Sequence, residues 1–178
     1  MTASHKAGKK RIVFVGKRNV GKSSLINAFV GKELCTIDDR QTATREAIEI
    51  PMELPPYGSV VIVDTVPLNE IGDLRQNHLN KTISVLSTAD FVVVVLDARE
   101  KLNQDDKNIF YQLKKLSVPC LAAVNKIEFG INSDLINGLR AINAIHFEVS
   151  CKEDVGIDAL KARITRLLQT EPNHSVKK

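Results

Sequence analysis

Residues 16–23 carry a glycine-rich signature for phosphate binding. The segment reads Gly16-Lys17-Arg18-Asn19-Val20-Gly21-Lys22-Ser23, which matches the GxxxxGK[ST] pattern in full, and Ser24 follows it. Glycines let backbone N–H groups turn inward around a phosphate, and the start of a following helix adds partial positive charge. We therefore expect residues 16–24 to bind the phosphates of a nucleotide. Lys22 should reach the β- and γ-phosphates, and the Ser23 hydroxyl should bind Mg²⁺.

Two aspartates that end apolar runs could help to hold the metal ion. Asp64 follows the run at residues 60–63, and Asp97 follows the run at residues 91–96. A carboxylate at the end of a strand beside the phosphate loop can bind Mg²⁺ through water. We favour Asp64 because its strand follows a predicted hairpin, and we expect Asp97 to be a solvated cap.

Two further loops follow apolar runs and carry groups suited to a guanine base. Asn125-Lys126-Ile127-Glu128 follows the run at residues 120–124, and Ser150-Cys151-Lys152 follows the run at residues 145–149. The Glu128 carboxylate can accept hydrogen bonds from guanine N1–H and the N2 amine together, whereas adenine offers no such pair. A backbone N–H in the second loop could meet guanine O6. The sequence therefore predicts GTP or GDP as the ligand.

The elements that must position these residues follow from alternating apolar runs and helical patterns. Strand-like runs occupy residues 12–15, 47–54, 60–63, 91–96, 120–124 and 145–149, and helical patterns occupy residues 23–30, 75–86, 105–116, 133–142 and 157–168. The link at residues 55–59 is too short for a crossover helix, so it predicts an antiparallel hairpin. We expect an α/β, three-layer P-loop NTPase fold whose six-stranded, mostly parallel sheet has one antiparallel strand and helices on both faces. One domain should span residues 11–170, between flexible tails at 1–10 and 171–178.

Composition excludes several classes of protein. The longest apolar run, at residues 91–96, is too short to span a bilayer, and the N-terminus lacks the apolar segment of a signal peptide, so we expect a cytoplasmic protein. Cys35, Cys120 and Cys151 form no CxxC pair, which argues against a disulfide framework or a metal cluster. The net charge is +4, but without six basic residues near the two ends 19 basic residues face 21 acidic ones. Nucleic-acid binding is therefore disfavoured.

The ordered loops resemble those of the Era/Der type of small GTPases, and within them the GTPase domain of the HydF family of FeFe-hydrogenase maturation proteins. The resemblance covers residues 11–168. The stretches that carry it are Met52-Glu53-Leu54-Pro55, Gly58-Ser59-Val60, Val63-Asp64-Thr65, Gly72-Asp73-Leu74-Arg75 and Ala89-Asp90-Phe91.

The resemblance implies roles for several residues. Thr44 occupies the position of a switch threonine that contacts Mg²⁺ and the γ-phosphate, and Asn19 the position that helps to hold K⁺ in potassium-activated members. Leu68 stands where other GTPases carry a water-orienting glutamine. Lys22, Thr44 and Asn19 are thus the residues expected to act in hydrolysis. Partners implied are the further HydF domains, other hydrogenase maturation proteins and a second copy of this domain, although core packing explains the apolar positions of residues 75–86 better.

Three departures from the family pattern bear on activity. Pro67 stands where the family has a glycine whose N–H donates to the γ-phosphate, and proline has no N–H. Glu128 replaces the usual aspartate, and Thr42 replaces a common glycine. These features leave three hypotheses open: a GTPase of hydrogenase maturation, a nucleotide-binding module with weak hydrolysis, and a ribosome-associated GTPase of the Era/Der type.

Overall fold

The computed structural model describes residues 9–31, 47–67 and 84–170. Several predictions fall outside these residues: the roles of Thr44, Thr42 and Leu68, the Gly72–Arg75 stretch, Cys35, and most of the two tails. Of the helix predicted at residues 75–86 only its end is described, and residues 84–87 are helical.

A six-stranded sheet forms the centre of the molecule. Its strands are β1 (Lys10–Gly16), β2 (Ile48–Leu54), β3 (Gly58–Asp64), β4 (Phe91–Asp97), β5 (Cys120–Asn125) and β6 (His146–Glu148), in the spatial order β2-β3-β1-β4-β5-β6. Only β2 and β3 pair antiparallel, and all other neighbours are parallel. The predicted mixed sheet and its hairpin are confirmed.

Burial explains where each strand lies. All seven residues of β4 are buried, as a continuous apolar strand in the middle of a doubly covered sheet should be. In β2, at the edge, the exposed residues Pro51 and Glu53 come between the buried Ile50 and Leu54. The carboxyl ends of the neighbouring strands β3, β1, β4 and β5 meet at one edge of the sheet. The predicted site residues in the described part of the chain lie at these four ends and in the loop after β6, which runs parallel to β5.

Besides the helical residues 84–87, four helices in the described residues cover the sheet: α1 (Lys22–Val30), α2 (Gln104–Lys115), α3 (Ser133–Ala141) and α4 (Ile157–Thr170), with a short 3₁₀ turn at Ile127–Phe129. The N-terminus of α2 is fixed by a capping box between Asn103 and Asp106, and that of α3 by the Asn132 side chain. In the described part of the chain, no helix has the length and apolar character needed to cross a membrane.

Two separate apolar cores confirm the three-layer arrangement. One core joins strand residues such as Phe14 to Phe29 of α1 and to Leu160 and Ile164 of α4. The other core lies on the opposite face of the sheet, which includes Val13. There the sheet packs against apolar residues of α2 and α3: Ile109, Phe110, Leu113, Leu135 and Leu139. In α4, apolar residues at helical spacing face the core: Ile157, Leu160, Ile164 and Leu168 are buried, and Leu167 is half-buried.

Candidate nucleotide-binding site

The phosphate loop leaves β1 at Gly16 and enters α1 after Gly21. A Cβ atom added at Gly16 would lie 2.8 Å from the carbonyl oxygen of Val95, so a side chain there would collide with the β4 backbone. Gly21 has a φ of 87° and an added Cβ would lie 2.3 Å from Asn125 Nδ2. Both glycines are therefore required by the local geometry, the second also by its left-handed conformation.

Lys22 and Ser23 begin α1 beside the carboxylate that ends β3. The Lys22 ammonium forms an ion pair with Asp64, and Ser23 Oγ donates to Asp64 Oδ2 over 3.4 Å. Lys22 and Asp64 are both buried. A hydroxyl and a carboxylate side by side are the hard oxygen ligands that Mg²⁺ prefers, with phosphate oxygens and water completing the shell, so these two residues fit the ion. Within the described residues, no group of three or more His, Cys, Asp or Glu side chains forms an all-protein metal site.

Asn125, at the end of β5, joins the phosphate loop to the loop that follows β6. Its Nδ2 donates to the carbonyl oxygen of Val20 over 3.0 Å, and its Oδ1 accepts from the Cys151 N–H over 3.3 Å. The side chain is buried and its amide is used on both sides. The Cys151 N–H, one candidate donor to guanine O6, is thus engaged by Asn125 in this structure.

Lys126 lies on the other side of the phosphate loop. It adopts a left-handed φ of 69°, and its ammonium donates to the carbonyl oxygen of Asn19 and pairs with Asp97 Oδ2 at 2.9 Å. The expectation that Asp97 is a solvated cap is wrong, because only 4% of it is exposed. Its carboxylate also accepts from Arg99 Nε and Nη2 at 2.9 and 2.7 Å. Hydrogen bonds from Arg99 and Lys126 outweigh burial and hold the pKa of Asp97 well below its usual range.

A cavity of about 820 Å³ lies between α1, the Lys126 loop and the loop after β6. It is lined by seven of the predicted site residues: Gly21, Ser24, Asn125, Lys126, Glu128, Cys151 and Lys152. Glu128 Oε2 is buried there and has no hydrogen-bond partner. The neighbouring Ser150 hydroxyl, with Lys152 and Lys126, holds the pKa of Glu128 below its usual value, so the carboxylate is ionised near neutral pH. An ionised carboxylate with an unused oxygen can accept from donors on a bound base.

The remaining predicted residues are placed as follows. Arg18 and Asn19 are exposed on the phosphate loop, Val20 is buried in the core, and Ser150 is fully buried. The Lys17 side chain is buried and forms an ion pair with Asp106 of α2. Its backbone belongs to the phosphate loop, but its ammonium is engaged by a carboxylate of α2.

Sequence reasoning missed Arg99, Asp106 and Phe129. Arg99 and Phe129 line the cavity, where the Arg99 guanidinium lies 5.2 Å from the Phe129 ring centroid and Lys152 Nζ lies 5.5 Å from it. The local signal for Arg99 was its position two residues after a strand-ending aspartate. Phe129 directly follows Glu128, but an exposed aromatic in a loop has no spacing pattern to single it out.

Residues 11–126 match the family described as 50S ribosome-binding GTPase. Curated relatives include GTPase Der of Campylobacter curvus, 29% identical over 91% of this chain and 35% of its own length. The tRNA modification GTPase MnmE of Desulforamulus reducens is 31% identical over 89% of this chain and 34% of its own length. The chain thus spans about a third of these relatives.

The fold is also that of a solved Era structure. A structure of Era in complex with MgGDPNP and nucleotides 1506–1542 of 16S ribosomal RNA has a TM-score of 0.74 and 23% identity, over 96% of this chain and 60% of that one. The family match includes the phosphate loop, the Asp64 strand end and Asn125 with Lys126. The chain belongs to the 50S ribosome-binding GTPase family and is a G domain of the Era, Der and MnmE-like superfamily.

Proposed function

We propose that this chain is a GTPase domain that binds GTP and converts it to GDP and phosphate. The observation that carries the proposal is the Asn125 amide, which ties the phosphate loop at Val20 to the base loop at Cys151 by hydrogen bonds of 3.0 and 3.3 Å. This junction holds a polyphosphate site at the N-terminus of α1 beside a cavity that contains the Glu128 carboxylate. A guanine nucleotide supplies the negative charge and the base donors that these two ends require.

Selectivity for guanine should reside in Glu128. In the proposed complex Oε2 and Oε1 accept from guanine N1–H and the N2 amine, and Lys126 lies along the base. Charged hydrogen bonds of this kind contribute about 1.5–3 kcal/mol each. Glu128→Gln should therefore weaken GDP binding roughly tenfold or more. The matched control is Glu148→Gln, because Glu148 is exposed on β6 and does not line the cavity.

A melting series tests the nucleotide assignment directly. At about 100 times the dissociation constant, a bound nucleotide stabilises the folded state by about 2.7 kcal/mol. GTP and GDP should raise the melting temperature in Mg²⁺ buffer, and ATP should not. Stabilisation by ATP alone would overturn the guanine assignment, and no stabilisation by any of the three would overturn nucleotide binding.

Ser23 and Asp64 are the residues that would hold Mg²⁺, together with Thr44. The ion supplies positive charge that offsets the charge of the phosphates. Lys22 would bind the β- and γ-phosphates once its ammonium turns from Asp64. Asp64→Asn should therefore remove most of the Mg²⁺ dependence of GTP binding, which a titration of GTP affinity against Mg²⁺ measures.

Hydrolysis should be slow and should depend on K⁺. Pro67 cannot donate an N–H to the γ-phosphate, and Leu68 cannot orient water as glutamine does. Removing one transition-state donor costs roughly 10²–10³ in rate. We propose that a K⁺ ion held with the help of Asn19 supplies positive charge at the phosphates. Phosphate release should be faster in KCl than in NaCl, and equal rates would contradict this role of K⁺.

Pro67 also supports a second candidate function, a nucleotide-binding module that hydrolyses GTP only weakly. Pro67→Gly restores the missing N–H and should raise turnover by roughly tenfold or more while leaving GDP affinity unchanged. An unchanged turnover would show that Pro67 does not limit hydrolysis.

The biological setting that we propose is hydrogenase maturation, because the Met52–Pro55 and Gly72–Arg75 stretches resemble HydF. Its partners would be other maturation proteins and a second copy of this domain. The alternative is ribosome association, which the solved Era complex with 16S ribosomal RNA favours. The two differ in their affinity for RNA. Tight RNA binding that weakens steeply with salt would replace the hydrogenase assignment.

A further inference from the structure

A buried ion pair ties the first residue after Gly16 to the start of α2. Lys17 Nζ lies 2.8 Å from Asp106 Oδ2, and the two side chains are only 9% and 4% exposed. A second carboxylate, that of Glu100, lies 3.6 Å from the same ammonium but is largely exposed. Buried charges of this kind persist only when each has a partner in good geometry, so the pair fixes where the Lys17 side chain can lie.

The carboxylate of Asp106 has a second set of contacts, with the cap of α2. Asp106 Oδ2 accepts from the Asn103 N–H over 3.1 Å, and the Asp106 N–H donates to Asn103 Oδ1 over 3.0 Å. Both bonds belong to the capping box of α2 and would exist without Lys17. The carboxylate of Asp106 is therefore held by the helix cap as well as by Lys17.

The backbone on either side of Lys17 is restrained as well. Gly16, at the end of β1, lies so close to the Val95 carbonyl of β4 that no side chain fits between them. Beyond Lys17, the carbonyl oxygen of Asn19 accepts from Lys126, whose ammonium pairs with Asp97. The segment from Asp97 to Asp106 thus restrains the phosphate loop at two points, through Lys17 and through Lys126.

We propose that Lys17 is a positioning residue for nucleotide binding. Its ion pair with Asp106 orders the phosphate loop, and its ammonium does not bind the phosphates. This inference rests on the proposed guanine-nucleotide site. It also means that Asp106 affects nucleotide affinity indirectly, through its contact with Lys17 and its place in the helix cap.

The direction in which one substitution changes nucleotide affinity separates this role from direct phosphate binding. If the Lys17 ammonium bound phosphate, removing the Asp106 charge would free it and would leave nucleotide affinity unchanged or higher. If the ion pair orders the loop, the same change lowers affinity. Asp106→Asn removes the charge and keeps a side-chain oxygen for the Asn103 N–H, so the helix cap is preserved.

The experiment measures the dissociation constant of fluorescent GDP, with a melting curve without nucleotide for each variant. Lys17→Met and Asp106→Asn should each weaken GDP binding at least tenfold, and Lys17→Arg should stay within threefold of the wild type because arginine can keep the pair. The control pair is Lys101 with Asp134, which also joins neighbouring segments at 2.7 Å but is exposed. Lys101→Met and Asp134→Asn should leave affinity within twofold.

The outcomes are distinct. If Asp106→Asn binds GDP as tightly as the wild type, or more tightly, the positioning role is overturned. It is also overturned if Lys17→Met and Asp106→Asn both melt at a lower temperature but keep their affinity for GDP. Should Asp106→Asn fail to fold, Asp106→Ser gives a second measurement of the same loss of charge. Absence of GDP binding to the wild-type protein would instead refute the proposed function, since the pair is tested only through the difference between variants.

Discussion

Replacing Asn125 with alanine should damage both the fold and the site. The substitution removes the 3.0 Å bond to the Val20 carbonyl and the 3.3 Å bond from the Cys151 N–H. Each bond contributes about 0.5–1.5 kcal/mol, and an unsatisfied buried group that is left behind costs about 1–3 kcal/mol. Water entering from the cavity beside Asn125 can hydrogen-bond to the groups left unpaired and so lower part of this cost. We therefore expect the free energy of unfolding to fall by about 2–4 kcal/mol.

Urea unfolding followed by circular dichroism measures this change. Asn108→Ala is the matched control, because Asn108 is exposed on α2 and its one described contact is with Gln104 on the same helix. That variant should stay within about 0.5 kcal/mol of the wild type, as surface substitutions usually do. GDP affinity of Asn125→Ala should also fall at least tenfold, because the phosphate and base loops lose their common anchor. A loss of stability no larger than that of Asn108→Ala would refute the claim that Asn125 holds the phosphate and base loops together.

Three further substitutions or reactions test the site. Gly21→Ala should lower stability by about 1–3 kcal/mol, measured by thermal melting, because φ is 87° and the new Cβ would lie 2.3 Å from Asn125 Nδ2. Asp97→Asn should cost about 1–3 kcal/mol in urea unfolding at pH 7, through loss of its charged hydrogen bonds. Because the folded pKa of Asp97 lies below its unfolded value of 3.8, this contribution is complete above that value and is lost only as the pH falls below it. The gap between wild type and variant should therefore stay constant from pH 8 to pH 5, and a gap that closes in this range would contradict the assignment. Burial raises the pKa of the Cys151 thiol from 9.0 to about 11, so its alkylation at pH 8 should be roughly a hundredfold slower than that of an ordinary thiol. Peptide mapping after iodoacetamide treatment measures that rate, and GDP should slow it further because Cys151 lines the cavity.

The strands could be predicted closely because buried strands appear in the sequence as runs of apolar residues. β4 was expected at residues 91–96 and extends one residue further to Asp97, since an unbroken apolar run has little freedom in a sheet covered on both faces. β6 was expected at residues 145–149 but spans only His146–Glu148, because an edge strand pairs on one side and its limits depend on the neighbour. Local pattern sets the centre of a strand, and pairing sets its ends.

Charge partners could not be predicted in the same way. Asp97 was expected to be solvated because a lone carboxylate after a strand usually is, and nothing nearby shows that Lys126 will reach it from the end of β5. Lys17 gave no signal for Asp106 either, since the two residues meet only after α2 packs beside the phosphate loop. Periodicity reports which face of an element is covered, whereas ion pairs between loops depend on how the elements are stacked.

Three lysines at the phosphate loop, Lys17, Lys22 and Lys126, each form an ion pair with an aspartate, and a bound nucleotide can replace only one of these pairs. Asp106, the partner of Lys17, also accepts a hydrogen bond in its helix cap, and Asp97, the partner of Lys126, also accepts from Arg99. These two aspartates therefore have contacts beyond their lysines. Asp64 has contacts only with Lys22 and Ser23 among the described hydrogen bonds and ion pairs of its side chain. Under the proposed function Asp64 is therefore the carboxylate that can turn to Mg²⁺, which leaves Lys22 to the phosphates. The exchange preserves the balance of charge, and it predicts that metal and triphosphate bind more tightly together than either does alone.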